Sequence, residues 1–162
     1  MSDEIRLKAE RLIRILKTNG WTVSTAESCT GGLVAAAITA VPGASAVFYE
    51  GVVVYSDEAK TSLLNVASET LFKRGSISEE CAGEMAENLE KLAKCDLALS
   101  VTGFAGPTGG TPTAPIGTVW FAARFHGRTV TRVEHIPGDR DDVRRIATLK
   151  LLLLGLETLN GN

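Results

Sequence analysis

The stretch TAESCTGG, Thr25 to Gly32, runs directly into LVAAAITA, Leu33 to Ala40. A β-branched segment, WTVST (Trp21–Thr25), closes in small polar residues, and a glycine pair opens an alanine-rich one. That succession predicts a strand handing over to a helix. Upstream, Ile5, Ala9, Leu12, Ile13 and Leu16 fall at helical spacing, with Ser2 or Asp3 placed to cap the start and Gly20 placed to stop it. Downstream, the Leu33–Ala40 helix ends at VPG (Val41–Gly43), and SAVFYEGVVVYS (Ser45–Ser56) reads as a strand with Gly51 in its middle. DEAKTSLLN (Asp57–Asn65) reads as a short helix capped by Ser56 or Asp57.

The alternation continues. Ser76–Lys94 predicts a helix capped at Ser78, with Glu79 and Glu80 at its positive end and Ala82, Met85, Leu89 and Leu92 on one face. Cys95–Val101 reads as a strand, and the glycine- and proline-rich loop Thr102–Pro115 follows it. Ile116–Phe125 and Thr129–Pro137 form two strands around His126-Gly127-Arg128, a hairpin. Gly138–Leu159 closes the chain as a helix with acidic residues in its first turn. Strands alternating with helices predict an α/β layered fold in one domain spanning residues 1–162, and the late β-hairpin makes its mostly parallel sheet mixed. Ligands of such sheets sit beyond the carboxyl ends of the strands.

Composition narrows the function. The net charge of -2 gives no basic excess for nucleic acid. Cys29, Cys81 and Cys95 are odd in number and show no CxxC or Cys/His spacing, which points to neither disulfides nor zinc and fits a reducing, cytoplasmic setting. The charged, amphipathic start is unlike a signal peptide, and the apolar run LLLLGL (Leu151–Leu156) is too short to span a bilayer. The apolar character of LKLLLLGLETL predicts either a fully buried helix or a homo-oligomer contact, and a homo-oligomer is the expectation. The glycine patterns of dinucleotide and P-loop sites are both absent.

ESCTGG sits at a strand end before a helix, where free N–H groups can bind an anion or an oxyanion. Ser28 and Cys29 are candidate nucleophiles, although Ser and Thr there also suit a plain helix cap. Cys29 lacks a plausible histidine partner, since His126 and His135 both lie in the hairpin region, so it reads as a small core residue. Without a usable histidine, Tyr55 and Lys60 in YSDEAK become candidates to activate a serine, against the ordinary reading of a solvated lysine and a packing tyrosine. Thr102, at a strand end, offers a hydroxyl, and Gly103 and Gly106 would let the loop backbone approach a ligand. Arg140 and Arg144, four apart at a helix start, suit a phosphate or else pair with nearby aspartates.

The motifs ESCTGG, VVVYSDEAK, GSISEECAGEMAE, VTGFAGPTGGTP, PIGTVWFA and PGDRDDVR occur in one order over about Ile5 to Leu159. In these the sequence resembles the CinA C-terminal family, competence/damage-inducible protein homologues that include nicotinamide mononucleotide (NMN) deamidases. The resemblance implies a three-layer α/β/α sandwich, hydrolysis of the NMN carboxamide to nicotinate mononucleotide and ammonia, and no metal or organic cofactor. It maps Ser28 to the nucleophile, Tyr55 and Lys60 to its activation, Thr102 to a site hydroxyl and Arg140 to a substrate contact. Arg144 is an extension of that set. Longer members carry a preceding N-terminal domain, so a stand-alone deamidase-type chain is expected. Two departures stand out: Asp57 where the family commonly reads YSN, and Thr113 and Ala114 where it commonly carries a Glu-Lys pair. On this mapping Glu27 positions the turn, and Thr30 with the free amides of Gly31 and Gly32 caps the helix. Those amides or their neighbours would face the oxyanion. Lys60, kept neutral or hydrogen-bonded through Tyr55, would move the proton.

Overall fold

A computed structural model of the chain describes residues 2–161. The elements run α1 (Asp3–Asn19), β1 (Val23–Glu27), α2 (Leu33–Thr39), β2 (Phe48–Val53), α3 (Asp57–Leu64), α4 (Ser68–Arg74), α5 (Glu79–Ala93), β3 (Leu97–Gly103), β4 (Thr118–Phe125), β5 (Arg128–His135) and α6 (Arg140–Asn160). A single turn of 3-10 helix at Ala44–Ala46 precedes β2. The sheet order is β2-β1-β3-β4-β5. β1 pairs parallel with β2 and β3, whereas β4 pairs antiparallel with β3 and β5. β4 alone therefore runs against the other strands of this sheet, and the expected mixed, mostly parallel arrangement is present.

The helices divide between the two faces and give the expected three layers. α1, α2 and α6 pack together over one face, and α5 with α3 and α4 covers the other. The central strands β1 and β3 are buried almost throughout, as strands covered on both faces must be. α1 buries the five residues its spacing predicts, and each of its large aliphatic side chains contributes about 1.5–3 kcal/mol by leaving water. Ser2 caps it by accepting from the Ile5 N–H, and Gly20, in a left-handed conformation at φ 69°, ends it. Asp96 then fixes the entry to β1, accepting from the Thr22 N–H at 2.7 Å and the Thr22 hydroxyl at 3.0 Å.

Several boundaries move. β1 begins and ends two residues later than WTVST, so its last residue is Glu27. Strand β2 is shorter than Ser45–Ser56 because the 3-10 turn takes up Ala44–Ala46. β3 runs on to Gly103, which takes Thr102 and Gly103 out of the expected loop. α5 is capped by Ser78, whose hydroxyl accepts from the Cys81 N–H, and buries Ala82, Met85 and Leu89, but Leu92 is half exposed. The buried stripe passes through Cys81, Ala86 and Ala93 instead, one step round the helix from Leu92. α4 buries none of its residues, and no apolar period announces it. The LLLLGL segment of α6 lies in the core of its own chain, with Gly155 pressed so close to Leu99 that a Cβ would fall 3.1 Å from its side chain. It therefore offers no oligomer face.

Candidate functional site

Strand β1 has β2 on one side and β3 on the other: the crossover from β1 to β2 runs through α2 on one face, and the return from β2 to β3 runs through α3, α4 and α5 on the opposite face. A crevice opens outside the carboxyl ends at such a reversal. Here it is a cleft of about 220 Å³ with Ser28, Lys60, Tyr55, Gly103, Gly106 and Arg140 in its walls.

Ser28 follows β1 directly. Its N–H still donates to Val101 O at 3.0 Å, and its carbonyl accepts from the Gly31 N–H at 3.0 Å, closing a tight turn. Gly31 and Gly32 take left-handed φ values of 62° and 97°, which a side chain would resist. Glu27 holds this turn from behind. It is fully buried, and its carboxylate accepts from the Thr30 hydroxyl at 2.6 Å and from the N–H groups of Gly32, Val34 and Ala35 at 3.0, 3.1 and 2.8 Å. Four donors on one carboxylate satisfy the free end of α2.

This corrects the expected cap. Glu27, not Thr30, caps α2, and Thr30 is itself a donor to Glu27. The Gly31 and Gly32 amides are both committed, to Ser28 O and to Glu27, so they are not free to face an oxyanion. Glu27 is a support buried behind Ser28 and has no surface with which to touch a ligand.

Lys60 enters from α3. Ser56 caps that helix, so its first turn starts at Asp57, two residues after Tyr55, and carries Lys60 inward. Lys60 is 2% exposed. Its Nζ lies 3.2 Å from Ser28 Oγ and 3.1 Å from the Val54 carbonyl oxygen. No carboxylate pairs with it among the described residues. The expected route through Tyr55 is absent: Lys60 meets Ser28 directly, and the half-exposed Tyr55 hydroxyl instead accepts from Arg140 Nη2 at 2.7 Å. Arg140 also donates through Nη1 to Gly106 O at 2.9 Å, so it bridges the glycine loop and β2's end across the cleft. Both recorded partners of this guanidinium are neutral oxygens, which leaves its charge uncompensated.

Two expected residues lie elsewhere. Thr102 is fully buried, outside the cleft wall, and donates to Ser76 O at 2.7 Å. It pins the segment that brings Ser76 and Ile77 into the wall. Arg144 lies behind the Ser28 turn, donating to Thr30 O at 3.1 Å beside Asp141, in a groove between α2 and α6. Gly103 is at the wall because β4 crowds it: a Cβ there would fall 2.8 Å from Thr118 O.

Residues not anticipated as site members also line the cleft: Asp57, Ser76, Ile77, Phe104, Ala105 and Thr108. Asp57 stood out only as a departure from the family, and SIS reads as a cap motif. Cys29 is in the wall too, but burial pushes its thiol up to about 12, against the field of Lys60 and Arg144. A thiol so placed stays protonated at neutral pH and is no nucleophile. His126 stacks on Phe125, and His135 meets Thr118, and neither lines the cleft. Among the described residues no group of His, Cys, Asp and Glu is arranged to hold a metal ion. No helix of the described residues is long and apolar enough to cross a membrane.

The geometry has close counterparts. The chain is 49% identical over 146 residues to the nicotinamide-nucleotide amidohydrolase PncC of Escherichia coli, an alignment covering 90% of this chain and 88% of that protein. It is 49% identical to a CinA-like protein of Kosmotoga olearia over 86% of this chain, but it spans only about a third (34%) of that longer protein. The crystal structure of the competence/damage inducible protein CihA from Agrobacterium tumefaciens superposes with a TM-score of 0.95 at 36% identity, covering 99% of this chain and 98% of that one. The competence damage-inducible protein A from Klebsiella pneumoniae gives 0.94 at 41% identity, with coverage of 96% and 97%. The family model of the CinA C-terminal domain matches residues 6–159, nearly the whole chain. The chain belongs to the CinA C-terminal domain family.

Proposed function

We propose that this chain is an amidohydrolase that converts NMN and water to nicotinate mononucleotide and ammonia, with Ser28 as nucleophile and Lys60 as its base. The observation that carries the reading is the 3.2 Å approach of Lys60 Nζ to Ser28 Oγ in a cleft without a histidine. The name of the E. coli relative supports the substrate.

In the first half-reaction Lys60, in its neutral form, takes the Ser28 proton as Oγ bonds to the amide carbon. The Val54 carbonyl orients the amine toward Ser28. The oxyanion of the tetrahedral intermediate needs donors that are not already used. Cys29, the next residue in the turn, lines the cleft, and its N–H is assigned that role. Lys60 then returns the proton to the amide nitrogen, the C–N bond breaks and ammonia leaves. Water, deprotonated by the same amine, opens the ester and frees the carboxylate and Ser28. Every proton is moved by one residue, and no cofactor is required.

Arg140 supplies the anion site. A guanidinium whose partners are neutral oxygens gains a stronger hydrogen bond when a phosphate replaces one of them. A phosphate drawn there places the nicotinamide end toward Ser28, so NMN should be preferred over the dephosphorylated riboside.

The test is ammonia release from NMN by the protein and by Ser28→Ala, with the intact mass of the protein read during turnover. Release by the parent, its loss in the variant and a transient acyl adduct on the parent alone are the expected results. A folded protein that binds NMN and releases no ammonia would overturn the reading in favour of a nucleotide-binding module.

A further inference from the structure

Apart from the buried Lys60, the wall of the cleft carries two charged side chains, and they are of opposite sign. Arg140, from α6, donates to the Tyr55 hydroxyl and to Gly106 O, both neutral. Asp57, from α3, is the one carboxylate in the wall. It is exposed, and no ion pair or hydrogen bond holds its carboxylate among the described residues. The bond it does receive, from the Thr61 hydroxyl at 3.1 Å, goes to its backbone carbonyl. The two charges stay apart because both arms of Arg140 are anchored elsewhere. An acidic residue in a first helical turn also suits the positive end of the helix. Glu58 serves that end of α3 from outside the cleft, so the helix does not need a carboxylate at the cleft wall.

Asp57 and Lys60 lie one helical turn apart on α3 and share a face. Lys60 reaches Ser28 at 3.2 Å, so the carboxylate stands close to the residue proposed to attack the amide. Two aromatic rings, Tyr55 and Phe104, lie in the same wall. The Phe104 backbone is pinned, donating to Thr118 O at 3.0 Å and accepting from the Gly117 N–H at 2.8 Å. An unpaired carboxylate beside aromatic rings is a setting that receives an organic cation.

We propose that Asp57 selects the charge of the substrate's ring, so that the cleft takes a zwitterion, with the anion at Arg140 and a pyridinium cation facing Asp57. The proposal rests on the amidohydrolase reading and deepens it. NMN joins a phosphate to a pyridinium ring. The ring nitrogen is meta to the carbon that bears the amide, so it stays near Ser28 when the amide does. Reduced NMN keeps the same phosphate and carboxamide, but its dihydropyridine ring is neutral and gains nothing from the carboxylate. Asp57 therefore favours the oxidised form over the reduced one, a choice that neither Ser28, Lys60 nor Arg140 makes.

The test is affinity, by calorimetry, for NMN and for reduced NMN. Ser28→Ala serves as the starting protein because it removes turnover, and Asp57→Asn or Asp57→Lys is added to it. The two ring forms differ in shape as well as charge, so the quantity that decides is how the ratio of their affinities changes on substitution. An exposed charge pair in water is worth little, so Asp57→Asn should weaken NMN about two- to fivefold and leave reduced NMN unchanged. Asp57→Lys sets like charges together and should weaken NMN at least about tenfold relative to reduced NMN. Both ligands carry the phosphate, so any pull of the new lysine on it cancels in the ratio. Asp57 is exposed, and a melting curve on each variant should match that of the starting protein. Equal losses for both ring forms would assign Asp57 a structural role and overturn the proposal, as would NMN binding that neither substitution changes. Those results leave the amidohydrolase reading standing. Failure of NMN to bind either the parent or Ser28→Ala would overturn both together.

Discussion

Replacing Lys60 by methionine removes the amine but keeps an unbranched side chain of similar length in a site that is 2% exposed. The structural consequences are limited. The Val54 carbonyl loses its Nζ partner at 3.1 Å, and a buried acceptor left alone costs about 1–3 kcal/mol. Methionine returns part of that, because it brings no polar group into the core. A net loss of about 1 kcal/mol lowers the melting temperature of a chain this size by about 2–4 °C. The chemical consequence is larger. A positioned general base contributes about 10²–10⁴ in rate, which is about 3–5.5 kcal/mol of barrier. Lys60→Met should therefore lose two to four decades of kcat on NMN while remaining folded. Lys60→Arg should fall as far, because a guanidinium keeps the charge but does not accept the proton. Continuous ammonia detection with a melting curve on each variant separates the effects. Turnover by Lys60→Arg within tenfold of the parent would show that positive charge near Ser28, and not proton transfer, is what the site needs.

Cys29→Ala should keep turnover within a few-fold, and iodoacetamide should not inactivate the parent at neutral pH, since the thiol is pushed up to about 12. Burial raises the Cys81 thiol to about 12 as well. A folded-state value above the unfolded one of about 8.5 contributes stability that is whole below that pH and is lost as pH rises toward the folded value. Denaturant titrations from neutral to alkaline pH should show that loss, and Cys81→Ala should flatten it. Burial works against the Asp96 carboxylate, but the Thr22 N–H and hydroxyl and the His126 ring outweigh it and hold its pKa below the usual range. Its contribution is present above about pH 4 and disappears as pH falls through the folded value, so Asp96→Asn should be less sensitive than the parent to acid unfolding. Glu27→Gln must turn an NH₂ toward at least one of four donors, which costs about 1–3 kcal/mol. It should lower kcat more than it raises KM, read by steady-state kinetics beside a melting curve.

The elements that declared themselves in the sequence are those whose physics is local. The α1 face is five apolar residues at helical spacing, and Ser78 caps α5 through a contact only three residues long. α4 was silent because it buries nothing. The site was legible only in part, for the same reason. Ser28 and Lys60 are 32 positions apart, and their meeting depends on β1 and β2 being neighbours, which no local pattern states. The lack of a usable histidine pointed to Lys60 or Tyr55, and the family resemblance tied them to Ser28. Arg140 and Arg144 share a helix face at their Cα atoms, yet their long side chains part, one to Tyr55 and Gly106 and the other to Thr30. Thr102 was misplaced by strand length: with β3 running to Gly103, its side chain points under the segment at Ser76 rather than into the cleft.

The clearest departure from expectation also explains how the site works as a unit. A helix N-terminus beside a nucleophile invites the reading that its amides hold the reacting oxygen. Here a carboxylate from the residue just before the nucleophile occupies that end, taking Gly32, Val34 and Ala35 at once. The α2 terminus is thereby spent on geometry. It fixes the turn through a fully buried group, while on the proposed reading the charge offered to a substrate comes from α6, through Arg140. Positioning and anion recognition are thus assigned to opposite sides of the cleft. One consequence is that a change at Arg140 should alter which amides are accepted without disturbing Ser28, whereas a change at Glu27 should weaken turnover of every amide alike. If Glu27→Gln changed selectivity between NMN and its riboside as strongly as Arg140→Lys does, that division of labour would be wrong.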